Sequence, residues 1–236
     1  MKKFGQGARN IIFLHGGGIR YTAYNCLLKK LGENFTVYAF DLPGHGKNIP
    51  TSDPDQAIQQ VISQIKALNL ESCILIGHSF GGFCAYQAAK QLTIVTNVIL
   101  FDPLLTTVQD SRLKLLWLFF FYKNWRGVYF HPNLVKFYFN GFKNQLEDIY
   151  LQKLNSVKTI KLLFNSCYLE KDLQSVNENS FKLNVIFGEQ DSIIHVKDFP
   201  ESFQKLITYV PGEHDWCMGN VSETTRIVAE CLTCSL

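Results

Sequence analysis

No stretch of this chain stays apolar for the roughly 20 residues a helix needs to cross a bilayer. The most apolar run, Leu113 to Tyr122, is interrupted by Lys114 and followed at once by Lys123. Residues Met1 to Arg9 carry positive charge but no apolar segment, so no secretory leader is expected. Charge of one sign is also lacking. Lys and Arg total 23 and Asp and Glu 20, and the resulting +3 is spread too thinly to recruit nucleic acid. Disulfide staples are not called for in a chain of 236 residues, and the seven cysteines are an odd number. Reduced thiols and a cytoplasmic setting are the expectation. Cys231 and Cys234 have no second pair to complete a zinc site and read as a pair on one helix face. Phosphate-binding signatures are missing too. The glycines after Leu14 lack the third glycine of a dinucleotide loop, since Tyr21 stands there, and no Gly-Lys-Ser/Thr occurs.

What is present is an apolar fraction of 47 %, enough for one large core. At its centre lies Cys73-Ile74-Leu75-Ile76-Gly77-His78-Ser79-Phe80-Gly81-Gly82. A short apolar strand runs into a helical segment, with Ser79 at the apex of Gly-His-Ser-Phe-Gly. That is the strand–turn–helix context of a nucleophile elbow. The tight turn strains the serine backbone, and the flanking glycines remove Cβ atoms that would collide. The turn also sets the Phe80 N–H at a helix N-terminus, where an anion is stabilised.

Strands and helices alternate along the first hundred residues. Asn10 to Leu14 reads as a strand ending in His15-Gly16-Gly17-Gly18. Tyr21 to Leu31 has helical spacing with Gly32 as its stop. Phe35 to Phe40 is a strand leading into Asp41-Leu42-Pro43-Gly44-His45-Gly46, a loop in which Asp41 is expected to bond amides and His45 to be structural or to line the rim. Ser52 or Asp53 with Pro54 opens a helix, and Asn97 to Phe101 is a strand ending in Asp102. Later strands cover Leu183 to Phe187 and Lys205 to Val210, and Val221 to Leu232 closes with a helix. Such alternation predicts a parallel sheet with helices on both faces and a site at the strand C-termini. Between Leu104 and roughly Ser180 the rhythm breaks into crowded aromatics such as Trp117, Phe120 and Trp125. This predicts a core of residues 1–103 and 181–236 with a helical cap inserted at 104–180. An amphipathic surface helix at Leu113 to Tyr122 is the alternative there, but membrane association is not expected.

With these motifs in their order, the chain resembles the α/β-hydrolase family, over almost everything except the cap. The resemblance implies the α/β-hydrolase fold with about six mostly parallel strands instead of eight, because the chain starts near what would be the family's third strand. It implies Ser79 as nucleophile, His214 in Gly212-Glu213-His214 as general base, and Asp191 in Gly188-Glu189-Gln190-Asp191 as the acid that orients it. Asp102 is the rival acid, because some members place theirs one strand earlier. Asp215, next to His214, is expected to be solvated. Oxyanion donors are expected at Phe80 and Gly17, with Gly16 the second choice for the latter. No metal or organic cofactor is implied.

A serine at the elbow favours cleavage of an ester or thioester through an acyl-enzyme, and the aromatic cap predicts an apolar acyl portion. The chain resembles capped carboxylesterases, including those acting on carrier-bound esters. Lys114, Lys123, Arg126 and Lys136 could face an acidic carrier or simply be solvated. Two other functions stay open: a C–C bond hydrolase or lyase of the same fold, and a non-catalytic small-molecule receptor.

Overall fold

A computed structural model describes residues 1–105 and 180–233, with positions 136, 139, 140, 143 and 173 standing singly between them. Seven strands form one sheet: β1 (Lys2–Phe4), β2 (Asn10–Leu14), β3 (Thr36–Ala39), β4 (Cys73–His78), β5 (Val95–Phe101), β6 (Lys182–Gly188) and β7 (Ile207–Val210). Their spatial order is β1-β3-β2-β4-β5-β6-β7. Six strands run parallel, and β1 alone is antiparallel, paired with β3. The six expected parallel strands are therefore present. The three-residue β1 is an addition too short to give a periodic signal in the sequence.

Both faces of the sheet are buried, as a parallel sheet requires. Alternation within each strand divides the apolar side chains between two cores. Ile12, Leu14, Leu75, Val98 and Leu100 point to one face, where α2 (Pro54–Lys66) and α3 (Phe80–Ala89) pack. Ile11, Phe13, Ile74, Ile76, Ile99 and Phe101 point to the other, beneath α1 (Asn25–Leu31) and α6 (Val221–Thr233). Two short helices, α4 (Glu201–Gln204) and α5 (Trp216–Gly219), complete the described elements. Local chemistry sets the ends. Asp53 caps α2 by accepting from the Asp55 N–H at 3.0 Å, with Pro54 at the first helical position.

The topology explains why distant residues meet. The chain places β3 on one side of β2 and β4 on the other, so the strand order reverses between β2 and β4. Loops leaving the C-terminal ends at such a reversal diverge and open a crevice. The glycine loop follows β2 and Ser79 follows β4 on either side of it. The C-terminal ends of β5, β6 and β7 bring Asp102, Asp191 and His214 to the same rim. The expected cap at 104–180 lies almost wholly outside the described residues. Of its aromatics only Phe139 is described, and it is exposed.

Candidate active site

Ser79 adopts φ 52° and ψ −118°, a left-handed backbone that a residue with a Cβ rarely takes. The conformation is held from several sides. The Ser79 N–H donates to the Phe101 carbonyl at 2.9 Å, and the Ser79 carbonyl accepts from Gly82, Phe83 and Leu104. The glycines act through clearance. A Cβ on Gly77 would lie 2.2 Å from the Gly81 carbonyl oxygen, and one on Gly81 would lie 2.1 Å from that of Leu14. The elbow read from the sequence is thus built as expected, with Phe80 opening α3 immediately after the serine.

Across the rim, His214 Nδ1 donates to Asp191 Oδ2 at 2.9 Å. Asp191 is itself fixed, because its Oδ1 accepts from the N–H groups of Ile193 (2.7 Å) and Ile194 (3.0 Å). Burial on its own would lower the His214 pKa. The Asp191 carboxylate, helped by Asp102 and Asp215, outweighs it and holds the imidazole up at about 9. Burial pushes the other way on Asp191, and there the His214 charge and the donated hydrogen bonds prevail, keeping its carboxyl low.

Asp102 is fully buried behind this pair and has a left-handed φ of 42°. Its Oδ1 accepts from the Gly188 N–H at 2.8 Å, and its carboxyl lies beside that of Asp191. Burial drives its carboxyl well above the usual carboxylate range despite the nearby His214 charge. Of the two candidate acids, Asp191 is therefore the charged one in contact with the imidazole. Donor atoms of Asp102, Asp191 and His214 lie within 4.8 Å of one another, the one such group among the described residues. They could converge on a cation only by giving up the 2.9 Å bond between His214 and Asp191. Asp215 differs from expectation. Its side chain is 14 % exposed, and its carboxylate sits 3.7 Å from His78 Nε2.

Three other histidines hold the loop after β2. His15 Nε2 accepts from the Leu42 N–H, and its Nδ1 donates to the Gly16 carbonyl, each at 2.8 Å. His45 Nε2 accepts from the Gly18 N–H at 2.9 Å. The Gly16 N–H donates to the Tyr24 hydroxyl at 3.1 Å, and that hydroxyl contacts His78 Nδ1 at 2.7 Å. The amides on both sides of Gly17 are thus engaged inside the loop. This counts against Gly16, the second choice from the sequence, as an oxyanion donor. His45 is structural as expected, and Asp41 accepts from the Tyr21 N–H at 3.4 Å. Sequence reasoning missed the roles of Tyr24 and His78. The tyrosines at the start of the first helical segment, Tyr21 and Tyr24, were the available signal.

The described residues join His214 to Asp191 directly. Ser79 reaches the same rim beside His78, whose ring centroid lies 4.9 Å from that of His214. Among the described residues no helix is long and apolar enough to cross a membrane.

Comparisons with known proteins bear on the family and the fold. The profile of the "Alpha/beta hydrolase family" matches residues 11–196. "Abhydrolase domain-containing protein abhd-5.2" of Caenorhabditis elegans is 40 % identical over 101 residues, 39 % of this chain and 23 % of that protein. A "Pimeloyl-[acyl-carrier protein] methyl ester esterase" of Salmonella heidelberg is 28 % identical over 145 residues, covering 61 % of this chain and 49 % of the esterase. The matches thus span half or less of these relatives' length. Among solved structures, a meta-cleavage product hydrolase from Pseudomonas fluorescens IP01 superposes with a TM-score of 0.74 at 18 % identity. That alignment covers 98 % of this chain and 92 % of the other.

Proposed function

Since this chain belongs to the alpha/beta hydrolase family, we propose that it is a serine hydrolase cleaving a carboxylic ester or thioester through a Ser79–His214–Asp191 acyl-enzyme mechanism. The observation that carries this reading is the part-buried His214–Asp191 hydrogen bond of 2.9 Å, set on the rim where the Ser79 elbow opens. A serine hydroxyl is a weak nucleophile at neutral pH and needs an adjacent base, and a histidine backed by a carboxylate supplies one.

In the proposed sequence, Ser79 Oγ attacks the acyl carbon while its proton passes to His214 Nε2. Asp191 stabilises the resulting imidazolium and fixes the ring with Nε2 toward the serine. The acyl oxygen becomes an oxyanion held by the Phe80 and Gly17 N–H groups, each such donor contributing about 3–4 kcal/mol to the transition state. Collapse of this intermediate breaks the acyl–oxygen or acyl–sulfur bond, and the His214 proton goes to the leaving group. Water then attacks the acyl-enzyme with His214 again as base, releasing the acid and restoring Ser79.

The proposed substrate is a small or carrier-bound acyl ester with an apolar portion. Similarity to an esterase of carrier-bound methyl esters supports that class. Residues 104–180 would form the cap that covers it. A fluorophosphonate probe should label Ser79, and a p-nitrophenyl acyl series should be turned over with preference for short to medium chains. Both should vanish in Ser79→Ala. Labelling without ester turnover would point to C–C bond chemistry at the same serine, and absence of both would leave a receptor.

A further inference from the structure

Three buried hydrogen bonds run in one chemical direction through the site. The His214 carbonyl can only accept, so the 3.0 Å contact to His78 Nε2 fixes the proton on that nitrogen. A neutral His78 then has a bare Nδ1, which must accept at 2.7 Å from the Tyr24 hydroxyl. The Tyr24 oxygen in turn accepts at 3.1 Å from the Gly16 N–H. The order of donors is Gly16 N–H to Tyr24, Tyr24 O–H to His78, and His78 Nε2–H to the His214 carbonyl. Tyr24 and His78 are both almost completely buried, so water cannot substitute at any link.

The chain spans the crevice. One end is the residue before Gly17, on the loop after β2. The other is the backbone of His214, on the loop after β7. Its middle, His78, is the residue immediately before Ser79. We infer that Tyr24 and His78 are positioning residues that tie the Gly17 amide, the Ser79 elbow and the His214 backbone into one frame. This inference rests on the serine-hydrolase reading for its kinetic consequence, but its structural half stands apart from it. Neither side chain touches substrate in this scheme. Burial, followed by the nearby His214 charge, lowers the His78 pKa to about 4, which keeps the ring in the neutral form that the chain requires.

Tyr24→Phe removes the hydroxyl and keeps the ring packed against Phe13, 4.9 Å between centroids. Against p-nitrophenyl butyrate, its kcat should fall at least tenfold with KM within about twofold. Affinity for a trifluoromethyl ketone, which forms a tetrahedral adduct, should fall in parallel, while affinity for the matching methyl ketone should hold. A merely structural loss would weaken both ketones alike. A kcat within twofold of wild type, or lost kcat with unchanged adduct affinity, overturns the inference. The second measurement needs no activity. Long-range 1H–15N correlation spectra of the wild-type protein should show His78 as the Nε2–H tautomer, and Tyr24→Phe should shift its Nδ1 resonance. An Nδ1–H tautomer overturns the inference even if Tyr24→Phe fails to fold. Wild-type protein that shows the Nε2–H tautomer but neither labels nor hydrolyses would instead defeat the hydrolase reading and leave the frame intact.

Discussion

The histidines that frame the glycine loop and the histidine paired with Asp191 carry the same side chain in opposite electrostatic states. In the frame, His15 and His78 are buried with no carboxylate among the described residues in hydrogen-bond contact, and their pKa values fall, His15 well below its ordinary value. His214 is buried too, yet its pKa rises to about 9 because the Asp191 carboxylate accepts its hydrogen bond at 2.9 Å. Burial alone therefore does not decide what a histidine does here. Neutral rings offer one donor and one acceptor and act as fixed pegs for backbone amides. The ring beside a carboxylate has a raised affinity for a proton, the property the proposed general base would use.

Removing the charged side of this contrast should have the largest effect. Asp191→Asn keeps the shape but deprives the imidazolium of its counter-charge, and ester kcat should fall by roughly a thousandfold or more. Steady-state kinetics on p-nitrophenyl esters would check it, and retention of even a tenth of the activity would mean that Asp102 can take over. Next in size is the pH dependence of the wild type. Because His214 must be unprotonated to act as base, kcat/KM should climb as pH rises and level off only near 9, whereas a plateau beginning at pH 7 would contradict the raised value.

The same contrast should shape stability. His214 binds its proton more tightly when folded. Its contribution is complete below about pH 6.5, the ordinary value, and disappears as pH rises through 9, a loss on the order of 3 kcal/mol. His78, depressed to about 4, works with the opposite sign. Between pH 6.5 and 4 the unfolded chain binds the extra proton, so stability declines with acid. Urea unfolding across pH should therefore show a histidine-dependent maximum near 6.5, and Asp191→Asn should flatten its alkaline limb. A neutral peg should change stability without changing the alkaline part of its pH dependence. His15→Ala strands the Leu42 N–H and the Gly16 carbonyl, and should cost about 2–4 kcal/mol in thermal or urea unfolding while leaving the alkaline limb unchanged.

Much of this was legible in the sequence because it rests on local rules. The runs ending in Leu14, His78 and Phe101 are apolar over the length of a buried strand. Gly77 and Gly81 bracket the serine because backbone stands where their Cβ atoms would be. Asp191 and His214 follow the last two strands, where the parallel order carries them to one rim. The three-residue β1 was not legible, since nothing periodic fits in Lys2–Phe4. Neither was the partial burial of Asp215 beside His78. Tyr24 and His78 are 54 positions apart, and only the packing of α1's approach beneath β4 reveals that one bonds the other.

Ser79 and Asp102 are neighbours at the ends of adjacent strands, and both hold backbone angles that suit glycine. Each such residue costs on the order of 1–3 kcal/mol. A version of this protein selected only to survive heat would relax both positions, so Ser79→Gly should melt later than wild type even as it becomes inert. Catalytic competence and resilience are thus opposed at one spot in the fold, and engineered stabilisation has to come from elsewhere on the scaffold.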